Sequence, residues 1–190
     1  MARPISYDPD LALEKAMELF WERGYHGVSV EDIVRATGLN RHSLYARYGS
    51  KYGLLQASLG RYREQILQCI RQVLTAPEPP RARIDRLLAL RDPDGEDALW
   101  KRMLERGCFA LRITAELRDS HADLASSLDS FGDTLESLLA DVIRQGQQLG
   151  EFRSDRTPED LAAVLVGGFM LPLVYAPAAQ RTEAFVSMLV

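Results

Sequence analysis

Residues 29–55, SVEDIVRATGLNRHSLYARYGSKYGLL, set three helix starts and two glycine stops into one short stretch. Ser29 is a strong N-cap, and Asp32 three positions on completes a capping box in which each side chain satisfies the other's free backbone N–H. Gly38 predicts the end of that helix, because glycine takes the left-handed backbone of a sharp turn without penalty. Asn40 caps a second short helix through about Tyr45, and Ser50 starts a third. Two short helices around a glycine corner, followed at once by another helix, form a helix-turn-helix unit.

The rest of the chain continues the helical pattern. A helix over about 8–23 places Ala12, Ala16, Leu19 and Phe20 on one face and stops at Gly24. The helix begun by Ser50 is predicted to run to residue 74, since Leu55, Leu59, Tyr62, Ile66, Ile70 and Val73 keep three-four spacing. The Pro-rich run at 75–80 breaks the chain. Further helices are predicted near 81–91, 96–106 and 108–118, and over 121–148 with a stripe of Leu124, Leu128, Phe131, Leu135, Leu138 and Val142. Thr157-Pro158-Glu159-Asp160 opens another, cap first and proline at the first helical position. A last helix is expected over 182–190. Strand signals are scarce, and the expected class is all-α.

Charge follows this geometry. Of the chain's 23 Lys/Arg and 27 Asp/Glu, residues 1–63 hold nine and seven, net +2, while the remainder holds fourteen and twenty, net −6. From Ile33 to Arg63 there is no acidic residue, yet Arg35, Arg41, Arg47, Lys51, Arg61 and Arg63 lie there. A basic window on an acidic chain points to an anionic partner, and a helix-turn-helix points to double-stranded DNA. The first turn of the second short helix, Asn40, Arg41, His42 and Ser43, is the part that enters the major groove in this motif. Arg41 fits guanine O6 and N7 best, a contact worth about 1–3 kcal/mol of discrimination. Asn40 serves equally well as a cap, and His42 can donate to a base or a phosphate or face solvent. Ser29, Tyr45, Arg47 and Lys51 read as phosphate contacts, Lys51 lying beside free helix N–H groups that favour an anion.

The joint pattern of Ala16, Phe20, Gly24-Tyr25, Ser29-Val30-Glu31-Asp32-Ile33, Gly38-Leu39, Ser43-Leu44-Tyr45 and Gly49-Ser50-Lys51 resembles the TetR family of bacterial transcriptional regulators. Weaker similarity extends over 146–152 and 157–162. The chain departs from the family at Tyr48, where phenylalanine is commoner but an aromatic ring survives beside the DNA contacts. It also departs at Tyr52 and Gly53, where charged residues are commoner; a glycine in a first helical turn costs about 1 kcal/mol relative to alanine. The resemblance implies a DNA-binding domain over 1–52 and a ligand-binding and dimerisation domain over 53–190. It implies a pocket for a small-molecule effector, with Tyr62, Ile66, Trp100, Met103, Leu104, Phe109 and Phe131 as candidate lining residues. It also implies a homodimer, for which Leu165, Gly168, Phe169, Leu173, Phe185, Met188 and Leu189 offer an apolar seam near the C-terminus. The expected function is a sequence-specific regulator, a repressor released from its operator by an inducer.

Other readings compete less well. No Gly-x-Ser-x-Gly elbow, phosphate-binding glycine loop or His-Glu-x-x-His site is present, so an enzyme is not expected, nor a cofactor or a metal. Cys108, just after Gly107 and near Arg102 and Arg106, could be a thiol that senses oxidants or electrophiles, against the plainer reading of a small buried hydrophobe. A helical interaction module with a vestigial reading unit is the remaining alternative. Two cysteines, no apolar leader and a 161–179 run broken by glycines and prolines make a cytoplasmic protein without a membrane span the expectation.

Overall fold

The computed structural model describes residues 8–174 except Pro93 and Glu96, with side chains given through Phe169. Among these residues the secondary structure is helical throughout: α1 (Pro9–Arg23), α2 (Val30–Thr37), α3 (Arg41–Tyr48), α4 (Lys51–Leu74), α5 (Pro80–Ala89), α6 (Ala98–Arg106), α7 (Phe109–Leu117), α8 (Ala122–Gln148) and α9 (Pro158–Val174). The expected helix at 182–190 lies outside the described residues.

The helix starts follow their caps. Asp8 accepts from the amides of Asp10 and Leu11, and Asn40 accepts from Ser43 N at 2.8 Å. Thr157 Oγ1 accepts from Asp160 N. The Ser29–Asp32 capping box is closed from both sides. Gly38 ends α2 in the left-handed region at φ 75°. Helix α3 runs to Tyr48, one turn past the expected end at Tyr45, because no breaker precedes Gly49.

The chain forms two compact units. The first comprises residues up to Glu64 together with 109–121, and so holds α1, α2, α3, the beginning of α4, and α7. The second comprises 65–108 and 122 onward, with the end of α4, α5, α6, α8 and α9. The expected domain boundary at 52/53 falls near the start of α4, the compact units part further along the same helix at 64/65, and α7 joins the first unit from a distant stretch of sequence.

In the first unit α1 packs on α2 and on α7. Its core is aromatic: the Trp21 ring meets Tyr62 edge-on at 5.2 Å and Phe109 at 5.8 Å, and all three are buried. In the second unit α8 pairs along α9, α5 lies on α8, and α6 touches α9. The six apolar positions read from α4, Leu55 through Val73, are all buried. On α8 the buried stripe is Leu124, Phe131, Leu135, Leu139 and Val142, with Leu128 and Leu138 only half-buried. Leu139 replaces Leu138 because a straight helix of 3.6 residues per turn drifts from the seven-residue spacing.

Candidate nucleic-acid interface and ligand cavity

Helix α3 is amphipathic over only two turns. Leu44 is fully buried and fixes the helix against its unit, while Arg41, His42, Tyr45 and Arg47 are exposed along the opposite side. Ser43 and Tyr48 are half-buried at the edges. Arg47 lies over the Tyr48 ring, its guanidinium carbon 5.7 Å from the centroid. Asn40 is committed to capping, its Oδ1 holding the Ser43 amide.

The acid-free window is not free of acids in space. Arg41 makes an ion pair with Glu31 of α2, both side chains more than half exposed. Arg61 is held by Glu14 and Asp10 of α1. Asp32 lies near both Arg35 and Arg23. Hydrogen bonds from the Ser29 hydroxyl and amide, and then the two arginines, hold the Asp32 carboxyl below the usual range. The Ser29 hydroxyl donates to Asp32 Oδ2 at 2.6 Å and accepts from the Asp32 amide, so it is occupied within the capping box.

Lys51 is tied inward. Its ammonium donates to Tyr25 O at 2.8 Å and to Val28 O at 2.6 Å, and lies 4.2 Å from the centre of the Tyr25 ring. Burial pushes its pKa down, partly opposed by the charge of Glu116. With two of three ammonium protons engaged, one remains for an anion.

The residue that sequence reasoning missed here is Glu116 of α7. Its carboxylate accepts from Tyr25 N at 2.9 Å and His26 N at 2.8 Å. It fits because position 24 is glycine: with φ 73°, a Cβ there would stand 2.5 Å from Glu116 Oε2. The same corner explains both departures at the start of α4. Tyr52 stacks on His121 with centroids 3.8 Å apart and planes at 12°. A Cβ at position 53 would collide with the Tyr48 carbonyl, so the glycine there permits a close turn rather than weakening a helix for nothing. Residue-type spacing offered no signal for Glu116, which lies 91 positions from Tyr25.

In the second unit a small apolar cavity, partly open to solvent, is walled by Ile70 of α4, by Ile84, Leu87 and Leu88 of α5, by Leu135 and Leu139 of α8, and by Leu165, Val166 and Phe169 of α9. The seven lining candidates read from sequence stand elsewhere. Tyr62 and Phe109 belong to the aromatic core of the first unit. Trp100 is one layer behind the wall, edge-on to Phe169 at 5.3 Å. Ile66, Met103 and Phe131 are buried and Leu104 is half-buried. Leu165 and Phe169, read as dimer seam, face this cavity, and Gly168 is buried too. Beyond its first turn, the exposed positions of α9 through Phe169 are Ala163, Val164 and Gly167. Side-chain positions at Leu173, and all of Phe185, Met188 and Leu189, lie outside the described residues.

Cys108 is 2% exposed, whereas Cys69 is half-buried and accepts the Trp100 indole N–H at 3.3 Å. No cluster of three His, Cys, Asp or Glu among the described residues is arranged to hold a metal. No helix among them is long and apolar enough to cross a membrane.

Comparisons with known proteins agree with this geometry. Residues 12–58 match the family described as bacterial regulatory proteins, tetR family. Residues 84–188 match the tetracyclin repressor-like C-terminal domain. The HTH-type transcriptional repressor ComR of Escherichia coli is 32% identical over 149 residues, 78% of this chain and 70% of that protein. The regulator YezE of Bacillus subtilis is 27% identical over 166 residues, 86% and 81% of the two chains. Among solved structures, a cysteine mutant of the TetR-family regulator CifR, complexed with 26-base-pair operator DNA, is 28% identical with a TM-score of 0.71. The match covers 98% of this chain and 96% of that one. A regulatory protein from Rhodobacter sphaeroides shares the fold at a TM-score of 0.81 and 21% identity, over 95% and 98% of the chains. With one family description spanning more than half its length and another covering its helix-turn-helix, the chain belongs to the TetR family of bacterial regulators, which bind DNA to control transcription.

Proposed function

We propose that the protein is a homodimeric repressor that grips an operator through α3 and lets go when a small molecule enters the second unit. Residues 1–52 serve as the DNA-binding domain and 53–190 as the ligand-binding and dimerisation domain, within the cytoplasm. The observation that carries the reading is the exposed row Arg41, His42, Tyr45 and Arg47 on a short helix anchored by Leu44 and capped by Asn40. Such a row has no packing role and matches what a major groove requires.

Arg41 is the base-reading residue, and on DNA its fork exchanges the Glu31 carboxylate for guanine O6 and N7. His42 and Ser43 adjoin it in the same turn. Tyr45, Arg47 and the remaining N–H of Lys51 go to phosphates, with Tyr48 packing beside them; Ser29 reaches a phosphate by giving up Asp32. These contacts set affinity and register, not sequence. For the dimer, the outward Ala163, Val164 and Gly167 of α9 let a second helix approach closely, continued by Leu173, Phe185, Met188 and Leu189. Burial of Cys108 favours a packing role over a thiol sensor.

Fluorescence anisotropy of the purified protein on duplex from its own upstream region, with a scrambled duplex alongside and at two salt concentrations, tests the reading. The expected result is salt-dependent binding that prefers the native duplex and loses roughly tenfold or more in Arg41→Ala. Equal affinity for both duplexes, unaltered in the variant, would overturn it.

A further inference from the structure

Three half-buried rings meet in the first unit, where the 25–28 loop, the start of α4 and the corner after α7 come together. His121 stacks face to face on Tyr52, with centroids 3.8 Å apart and planes at 12°. Tyr25 stands edge-on to both, 6.2 Å from Tyr52 and 6.5 Å from His121. The corner that presents the imidazole is itself fixed. The amides of Ser120 and His121 both donate to the carbonyl of Leu117, a residue buried in the same unit.

Tyr25 connects these rings to Lys51. It holds the ammonium at two points, through its carbonyl at 2.8 Å and through its ring, whose centre is 4.2 Å away. Glu116 fixes the backbone of the loop by accepting from the Tyr25 amide, whereas Tyr52 and His121 stand against the Tyr25 ring and restrict its rotamers. Tyr52 also follows Lys51 directly in the first turn of α4, so its stack on His121 sets the rotation of that turn. A lysine is a point charge on a flexible stem, and seating it before DNA arrives lowers the ordering cost of binding.

We propose that His121 is a positioning residue for operator binding, closing a three-ring seat that holds the Lys51 ammonium for a phosphate. The inference rests on the reading of Lys51 as a phosphate contact, and adds to it a residue from far along the chain that prepares the contact. Phosphate contacts act through charge and register without reading bases, so the effect falls on affinity and its salt dependence. Sequence preference belongs to Arg41 on α3. The hold comes from the offset faces of two rings, so another flat ring on the same corner serves as well.

Fluorescence anisotropy on duplex from the upstream region and on its scrambled counterpart, over a series of salt concentrations, tests the proposal on the full chain. Lys51→Ala is the reference, and should make the slope of log affinity against log salt shallower by about 0.9, the share of one phosphate. His121→Ala should produce roughly half of that change or more, with the native-to-scrambled ratio held within roughly twofold. Combined with Lys51→Ala it should add nothing further. His121→Phe should return the slope to the wild-type value. Tyr52→Leu breaks the same stack from α4 and should match His121→Ala, which preserves the test if the alanine variant does not fold. A slope that moves in Lys51→Ala but in neither stack variant would overturn this inference alone. So would a His121→Ala loss that adds in full to that of Lys51→Ala, or one that phenylalanine does not restore. A slope unmoved by Lys51→Ala would remove the phosphate contact, and this inference with it, while leaving Arg41 its base-reading role. Amide hydrogen exchange needs no duplex: at Leu54, which donates to Ser50 O at 3.1 Å, it should quicken several-fold in His121→Ala and recover in His121→Phe. Unchanged exchange there would overturn the positioning role even where no operator is bound.

Discussion

The two units solve the problem of holding short helices in opposite ways. The first fixes α2 and α3 by polar contacts at their ends, a capping box, an asparagine cap and the Lys51 and Glu116 ties to the 25–28 loop, and reserves its aromatic core for α1, α4 and α7. The second stacks long apolar faces and leaves a gap between α5, α8 and α9. Polar ties give one geometry with little slack, which suits a surface that must match DNA. Apolar faces around a void can repack, which suits a site that changes when filled.

The largest test of that contrast is a pair of truncations. Trp21→Ala removes a fully buried ring that meets two others, and is expected to cost about 3–5 kcal/mol, lowering the melting temperature by roughly 10 °C. Leu139→Ala widens an existing cavity whose far side already lacks partner atoms, so its cost should stay near the lower end, about 2 kcal/mol. Leu139→Phe should be nearly neutral in the second unit. Chemical denaturation followed by circular dichroism measures all three. Equal losses for the two truncations, or a phenylalanine as damaging as the alanine, would show that the cavity region is packed as tightly as the aromatic core.

A smaller effect sharpens the claim about polar ties. Glu116→Gln keeps the side-chain shape but replaces one carboxylate oxygen with an amide, so one of the Tyr25 and His26 amides loses its acceptor. Because Glu116 is exposed, the global cost should stay under about 1 kcal/mol. Local opening is the better readout: amide hydrogen exchange at Tyr25 and His26 should quicken several-fold while α8 is unchanged. Operator affinity should fall with it, and Glu116→Asp should not restore it because the shorter side chain cannot reach. Exchange rates that stay at the original values would mean the loop is held by Lys51 alone.

What was legible in the sequence follows the same division. Caps act over three residues, so Ser29 with Asp32 and Asn40 with Ser43 could be read directly, and with them the reading surface on α3. The α4 stripe was equally legible, because one period persists over many turns. The Arg41–Glu31 pair was not, since it closes across the turn between two helices and the acid lies two positions before the acid-free window. Glu116 was out of reach for the same reason at greater sequence distance. The cavity of the second unit left no mark in the sequence, because its wall is mostly Leu and Ile from four helices, indistinguishable by type from packed core, whereas the sequence reading went to aromatic and methionine residues such as Trp100 and Tyr62.

The smallest expected effect concerns the charge within the capping box. Hydrogen bonds from Ser29, then the positive charges of Arg35 and Arg23, depress the folded-state pKa of Asp32 below its unfolded value. A depressed carboxyl binds its proton more weakly in the folded chain, so its contribution is fully present above the unfolded value, near pH 4, and is lost as pH falls through the lower folded value. Denaturation midpoints of the wild type and Asp32→Asn should therefore differ in favour of the wild type at pH 6 and converge on acidification below about pH 4. Asparagine can still accept from the Ser29 amide, so the part of the gap that closes reports charge and the part that persists reports geometry. A gap that stays constant over the whole range would assign the box to hydrogen-bond geometry alone, and the reading surface it supports would then be insensitive to acid through this residue.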